Sequence, residues 1–455
     1  MIYTIYEKWD KSPVIVTFAT KETAIYEIPF PAITICPETK TDKKKFDFGT
    51  ALKRKKQATN TKENKILDYI SFFCDDLVAS SKNVSFGPDF LKTIDEVKPN
   101  FMDYVHNCSF MGKKLNCRNI FTPVITDEGV CYSFNILDRS QIFSDLVFHY
   151  KNYHKTSENS TTWSFEKGYL NKSKLDIYPR RALLAGASNG LTVQLATPKN
   201  DPDYKCKAVQ GYRVILHTPM RMPRLKEEYF RVPLDEAVVV SVQPTMISTS
   251  QAVKTYNIKK RDCCFPSERK LKFFRDYSQL NCQLECLTNF TLVFCGCVSI
   301  FMPREKQTPI CGTSKFECLK ETERKLQTEG LYGKFQVGGA QRGIDCDCMP
   351  LCTDLSYNTQ ISQTGWDWEK RNEQTFEKSS MYLSSLTVYF KFNHFITSER
   401  NELYGPTDFL ANFGGLLGLF TGFSILSLME IIYFLTLRIC CNIKMYNRWT
   451  GINKQ

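Results

Sequence analysis

The chain has 455 residues, 19 cysteines, and 60 Lys and Arg against 48 Asp and Glu, a net charge of +12. That length holds two or three ordinary domains or one large one. The basic residues are dispersed rather than gathered on one stripe, which argues against a nucleic-acid partner.

In chain order, Met1–Trp9 (MIYTIYEKW) is apolar and aromatic, yet too short for a signal-peptide core and without a basic leader. It reads as the outer end of a membrane helix whose main part is missing, and residues 1–12 are assigned to that remnant. Ala32–Cys36, after Pro29 and Pro31, is the first short strand. The densest basic run, Lys43–Lys56, reads as a solvated loop. Further strands are expected at Val130–Asn135, Leu191–Leu195, Val209–His217, Val238–Val242 and Ser385–Phe392. Five glycosylation sequons begin at Asn83, Asn107, Asn159, Asn171 and Asn289. Asn107 sits beside a cysteine and is the weakest, leaving Asn83, Asn159, Asn171 and Asn289 as the expected acceptors.

Seventeen cysteines lie between Cys36 and Cys352, and Cys440 and Cys441 stand apart near the C-terminus. Cys282 and Cys286 share one face of a helix expected through Glu268–Cys297, which Pro266-Ser267-Glu268 would start. A second helical run, Lys315–Thr328, returns the other way. An antiparallel hairpin of the two would nest Cys264–Cys352, Cys282–Cys348, Cys286–Cys346, Cys295–Cys318 and Cys297–Cys311, although spacing alone does not fix connectivity. Zinc is the rival reading, but no histidine lies in the cluster and the spacings match no common knuckle. The five histidines are scattered, and neither a catalytic triad nor a phosphate loop can be assembled, so no enzyme, cofactor or metal site is expected.

Phe409–Leu437 is the most informative segment. From Phe409 to Met429 there are 21 residues without a charge, enough to span a hydrocarbon core of about 30 Å. Arg438, Lys444 and Arg448 follow, placing residues 438–455 in the cytoplasm, residues 408–437 in the membrane and residues 13–407 outside. That topology fits disulfides and glycans on one side and free thiols on the other. Gly414, Gly418 and Gly422 recur every fourth residue, giving a face on which helices approach closely. By itself such a stripe reads as helix packing before it reads as a pore. Glu430 is an ionisable group within the segment, an expensive placement and so a functional one.

Taken together, F-P-A-I-T-I-C at Phe30–Cys36, G-V-C-Y-S-F-N at Gly129–Asn135, W-S-F-E-K-G-Y at Trp163–Tyr169, G-Y-R-V-I-L-H at Gly211–His217, R-D-C-C-F at Arg261–Phe265, N-C-Q-L-E-C at Asn281–Cys286, C-G-C at Cys295–Cys297, C-D-C-M-P-L-C at Cys346–Cys352 and the run Asn412–Glu430 form a series. It resembles the degenerin/epithelial sodium channel family, most closely its insect pickpocket branch. The resemblance covers the chain from about Pro29 to Phe434.

The resemblance implies an α+β membrane protein: a disulfide-rich extracellular β-sheet palm, a helical thumb at residues 264–352 and a C-terminal transmembrane helix, the first such helix being largely absent. It supports the nested disulfides and adds Cys36–Cys131 and Cys108–Cys117. Cys74, Cys206 and Cys263 are then left over, so at least one is free, pairs between chains, or takes Cys264's partner instead. It implies a homo- or heterotrimeric, amiloride-sensitive channel conducting Na+ across the plasma membrane, gated by a ligand or by force. Gly422-Phe423-Ser424 falls at the selectivity filter and Ala411 at the degenerin position. Gly414, Gly415 and Gly418 pack the pore helices. The alternative is a non-conducting, receptor-like or accessory member. Arg261 replaces a tryptophan that in acid-sensing relatives couples thumb to membrane, so proton gating is not implied. With Trp9 near the end of the first helix, any contact there is built differently.

Overall fold

The structure is a computed structural model, and it describes residues 2–54, 61–75, 86–156, 163–170, 177–335, 346–368, 380–422, 424–447 and 449. The chain forms two compact units. The larger comprises Phe18–Ser248 and Asp262–Ser398, the smaller Met1–Thr17, Thr249–Arg261 and Glu399–Gln455.

The strands in chain order are β1 (Val14–Ala24), β2 (Ala32–Pro37), β3 (Val105–Phe110), β4 (Lys113–Leu115), β5 (Phe121–Thr126), β6 (Gly129–Phe134), β7 (Trp163–Ser164) and β8 (Gly168–Tyr169). They continue as β9 (Leu191–Pro198), β10 (Tyr212–His217), β11 (Phe230–Val232), β12 (Glu236–Thr249), β13 (Asp354–Gly365), β14 (Met381–Phe390) and β15 (His394–Glu402). One eight-stranded sheet has the order β1-β15-β12-β14-β9-β3-β4, with β13 also paired to β12. A five-stranded sheet runs β11-β10-β2-β6-β5. Every β-rich run read from the sequence overlaps one of these strands, with Asn135, Val209–Gly211 and Lys391–Phe392 falling outside them, because β-branched residues alternating with polar ones suit a half-buried pleat.

That alternation builds the main core. Leu191, Val193 and Leu195 of β9, Val238, Val240 and Val242 of β12, and Leu386, Val388 and Phe390 of β14 are all buried. They share a cluster with Ile33 and Ile35 of β2, Phe134 of β6 and Val214 of β10. Phe30 meets Phe110 and Phe390 edge-on at 5.2 and 5.3 Å between ring centres. A second core gathers Phe143, Phe274, Leu284, Leu287 and Val298.

The third core corrects one expectation. Within the basic run, Phe48–Arg54 is helical, and Phe46 and Phe48 are buried with Tyr69, Phe73 and Phe90. Two aromatic anchors therefore hold down what its charge pattern suggested was a loop.

The cysteine-rich hairpin has the helices Gln279–Cys295 and Phe316–Phe335. The first begins eleven residues later than Glu268, the start read from the sequence. Glu268 instead turns its carboxylate onto the Phe265 amide at 2.8 Å, and Ser278 caps the helix through Asn281 N at 3.1 Å. Gly296 ends it with φ +73°, the left-handed conformation that glycine adopts without a Cβ clash.

Disulfides join Cys36–Cys131, Cys108–Cys117, Cys282–Cys348, Cys286–Cys346, Cys295–Cys318 and Cys297–Cys311. The expected Cys264–Cys352 pair is not formed. Cys263 bonds Cys352 instead, with 4.9 Å between their Cα atoms. The reason lies in the backbone: Cys264 N donates to Pro350 O at 2.9 Å and Cys352 N to Cys264 O at 3.1 Å. Neighbouring side chains on an extended strand point opposite ways. Cys264 therefore faces the main core beside Tyr277 and Leu351, and Cys263 faces Cys352. Cys74 and Cys206, left over in the sequence reading, pair with each other.

Three histidines of the larger unit are held neutral, His154 and His217 buried and His149 half-buried. Burial, reinforced by Arg139, lowers His149 to about 4. Burial, with His149 and Arg139 beside it, takes His154 to about 3. Burial against the opposing Thr218 carbonyl contact leaves His217 at about 4. An unfolded histidine takes its proton near pH 6.5, so this contribution to stability is full above that pH and falls as pH drops toward 4. The melting temperature is expected to fall by several degrees from pH 7 to pH 5. His154→Gln, which keeps an acceptor for the Ile125 amide now at 3.2 Å, should flatten that slope. An unchanged slope would exclude His154 as a source.

Candidate functional site

The C-terminal apolar segment of the smaller unit folds as two helices with a break between them. The first helix, Pro406–Thr421, starts where the Asp408 carboxylate accepts from Gly405 N at 3.3 Å, a carboxylate well placed at a helix N-terminus. It ends at Gly422, whose φ is +64° and whose amide still donates to Gly418 O at 3.0 Å. The second begins with Ser424 as its cap. Ser424 Oγ accepts from Ser427 N at 3.2 Å, and Ser427 Oγ accepts from Ser424 N at 3.4 Å. It runs as Ile425–Ile432, widens to a π-helical turn at Tyr433–Leu437 and continues as Arg438–Tyr446.

The chemistry of the break follows from the backbone. A helix that stops leaves its last carbonyls without intrahelical donors. Glycine in the left-handed region makes the stop inexpensive, and any Cβ there would be strained. Gly422 and Ser424 thus flank a helix break, with backbone carbonyls lacking intrahelical donors and one serine hydroxyl, inside an otherwise apolar stretch. Phe423 lies outside the described residues.

Around the break the surface is apolar. Leu419, Phe420, Ile425, Leu426 and Met429 are exposed. Ile425–Tyr446 is long and apolar enough to cross a membrane, 22 residues with mean hydropathy 1.6 and none of it buried. Ala411, Gly414 and Gly415 lie on exposed parts of the first helix, and a Cβ built at either glycine would meet nothing within 4 Å. Gly418 is half-exposed and Glu430 exposed. Arg438 stacks over the Phe434 ring at 4.9 Å.

The smaller unit also contains the helix Ile2–Lys11 and the segment Thr249–Arg261. Lys260 Nζ pairs with Asp10 at 3.0 Å and sits 6.0 Å from the Trp9 ring centre. Arg261 is buried, donating to Lys254 O at 3.3 Å and Tyr256 O at 2.9 Å. Where a tryptophan was absent in sequence, the contact with Trp9 therefore comes from the neighbouring lysine. Leu403 N donates to Pro13 O at 2.7 Å.

Of the sequon asparagines, Asn289 is exposed on its helix, and Asn107 is exposed but bonded to Gln194 at 2.5 Å. Asn83, Asn159 and Asn171 lie outside the described residues. Among the described residues, no group of three or more His, Cys, Asp or Glu converges as a metal site.

Sequence reasoning missed a buried ionic cluster in the larger unit. Glu128 accepts from Arg213 at 2.8 Å, Lys207 at 3.1 Å and Lys40 at 3.3 Å. Glu38 holds Arg213 at 2.7 Å, and Asp75 holds Lys207 at 3.0 Å. Burial pushes the Glu128 carboxyl up, but the surrounding Lys40, Lys207 and Arg213 charges outweigh it and hold it at about 2. The Cys74–Cys206 bond immediately precedes Asp75 and Lys207 in the chain and closes the cluster. The Ser424/Ser427 cap was legible as a serine pair three residues apart after a glycine, and was not read.

The comparisons agree with this geometry. The family model described as amiloride-sensitive sodium channel matches residues 1–434. Pickpocket protein 28 of Drosophila melanogaster is 29% identical over 97% of this chain and 72% of its own length. Sodium channel protein Nach of the same organism is 23% identical over 98% of this chain and 80% of its own. Acid-sensing ion channel 2 of Homo sapiens is 24% identical over 75% of this chain and 58% of its own. A family match across nearly the whole chain, a disulfide-rich β-sheet domain and an apolar helix broken at Gly-x-Ser point the same way: the chain belongs to the amiloride-sensitive sodium channel family, whose members are ion channels and not enzymes.

Proposed function

We propose that the chain is a subunit of a trimeric, amiloride-blocked channel that conducts Na+ across the plasma membrane, gated by a ligand or by force. In this reading residues 408–437 cross the membrane, residues 438–455 are cytoplasmic, and the β-sheet domain with a thumb at residues 264–352 is extracellular. Three copies of the break at Gly422-Phe423-Ser424 surround the permeation path, and their carbonyls and hydroxyls replace part of the ion's hydration shell. Irregular backbone at membrane depth is tolerable where it is buried in protein or lines such a watery path. Gly414, Gly415 and Gly418 supply the close helix approach, Ala411 the narrow level above it, and Glu430 an acid below the filter.

The observation that carries the reading is the helix stop at Gly422 with Ser424 extended and capping the next helix. Ser424 Oγ accepts from Ser427 N and meets Ser427 Oγ at 3.3 Å; with its own proton given to Ser427 Oγ, its second lone pair is left for a cation. Ser424→Ala should therefore change the sodium/potassium permeability ratio several-fold, whereas Ser424→Thr, which retains the hydroxyl, should change it less. A reversal potential that Ser424→Ala leaves unmoved in sodium/potassium exchange would remove Ser424 from the filter.

A further inference from the structure

The helix Gln279–Cys295 ends with three apolar residues in a row facing outward: Leu292 is 38% exposed, Val293 81% and Phe294 52%. Such a run on an outer surface calls for something to cover it. The chain covers part of it. The Phe290 ring lies 4.4 Å from Phe294, and Lys325 reaches over Phe294 at 5.4 Å. Val293 stands bare.

One turn earlier, on the same side of the helix, is Asn289. It is exposed, and its side-chain amide makes no hydrogen bond among the described residues. It opens the sequon Asn289-Phe290-Thr291, but the rest of that sequon is hidden: Phe290 is buried and Thr291 is 0% exposed. An enzyme that attaches a glycan reads the threonine together with the asparagine. In the finished fold all three residues are held in helix and the threonine is out of reach. Asn289 is therefore open to modification only before the helix packs.

The disulfides leave time for that. Cys282, Cys286 and Cys295 of this helix bond partners 66, 60 and 23 residues further along the chain. At a synthesis rate of about 5–20 residues per second, even the nearest partner, Cys318, follows by roughly 1–5 s.

We propose that Asn289 carries an N-linked glycan, added before the cysteine-braced hairpin closes, whose first sugars lie over Leu292 and Val293. In the transfer, Asn289 Nδ2 attacks C1 of a lipid-diphosphate-linked oligosaccharide. The C1–O bond to phosphate breaks, the lipid diphosphate leaves, and the amide gives up one proton. The C–H faces of the sugar rings and their N-acetyl methyl groups suit an aliphatic pair. The inference rests on the extracellular placement of this domain.

The test uses the full chain from secretory cells. Enzymatic removal of N-glycans in heavy-oxygen water turns each occupied asparagine into a labelled aspartate, read by mass spectrometry, and Asn289 is expected to be labelled. Label at other sequons but not at Asn289 would overturn the inference and leave the extracellular placement standing, whereas no label at any sequon would overturn both. Timing is read by blocking the transferase reversibly during synthesis. Chains whose disulfides form during the block should gain no glycan at Asn289 after its release, and chains kept reduced should regain it. Equal occupancy in the two, at any level, would overturn the order of events. Cover is read by hydroxyl-radical footprinting: oxidation of Leu292 and Val293 should rise several-fold when the glycan is stripped from the folded chain. An unchanged rate, as for a patch that is bare or held by another protein, would overturn the placement of the sugars.

Discussion

Replacing Ala411 by tryptophan is expected to give a standing inward sodium current that amiloride blocks. Ala411 is exposed on the helix Pro406–Thr421, eleven residues before the break at Gly422, or about 16 Å along the axis. In a trimer three such side chains would face one another where the helices converge. Forcing bulk into a packed interface costs about 1–3 kcal/mol per site. Summed over three copies, that shifts a closed/open balance by two orders of magnitude or more. Ala411→Ser should behave like the unmodified chain. The measurement is voltage clamp on oocytes with surface expression confirmed. If the tryptophan variant carries no current above controls, alone or with related subunits, the conducting role fails and a receptor-like role is favoured.

The largest effect on stability is expected at Glu128. Its side chain is 4% exposed and faces Lys40, Lys207 and Arg213. Glu128→Gln removes the one charge that all three cations share, and breaking a buried pair in this way costs about 3–5 kcal/mol. Coupling gives the sharper readout: with Lys40→Met added, the cation whose carboxylate partner is Glu128 is gone and part of the loss should return. Acid should act like the mutation. The Glu128 carboxyl is held at about 2 against an ordinary value of 4.5, so its contribution is full above pH 4.5 and disappears as pH falls from 4.5 toward 2. A Glu128→Gln chain that melts within a degree of the unmodified one would show the cluster to be energetically idle.

How far the sequence could be read depended on whether the signal was local. β-branched alternation marked β2, β6, β9, β10, β12 and β14, because a pleat's inner face is written every second residue. The break at Gly422 and Ser424 was legible too, since left-handed backbone and capping are decisions of one or two residues, but only the resemblance pointed to that position. The expected Cys264–Cys352 pairing failed, because whether Cys263 or Cys264 faces Cys352 depends on a backbone register with Pro350 and Leu351 set some 85 residues away. The late start of the helix at Gln279 was hidden in the same way: Glu285 reaches back to the Lys272 and Phe273 amides at 2.9 and 2.8 Å, holding the preceding chain out of helix. The Glu128 cluster draws on positions 38, 40, 75, 128, 207 and 213, and no window contains more than a pair of them. The Lys260–Trp9 contact joins positions some 250 residues apart.

The smaller unit is stitched from three separated stretches, Met1–Thr17, Thr249–Arg261 and Glu399–Gln455. This bears on biogenesis. During synthesis the first stretch can meet Lys260 once the second stretch emerges, but its contacts with the third must wait for nearly four hundred residues, since Leu403 has to reach Pro13 and Asn401 has to reach Thr17. The β-sheet domain closes its own contacts before that and can fold first. Assembly of the smaller unit is then the last and least local step, with the steepest loop-closure cost. Chimeras with related subunits should respect the same division: exchanging the C-terminal stretch alone would pair it with two foreign strips, whereas exchanging all three together would carry a self-consistent unit.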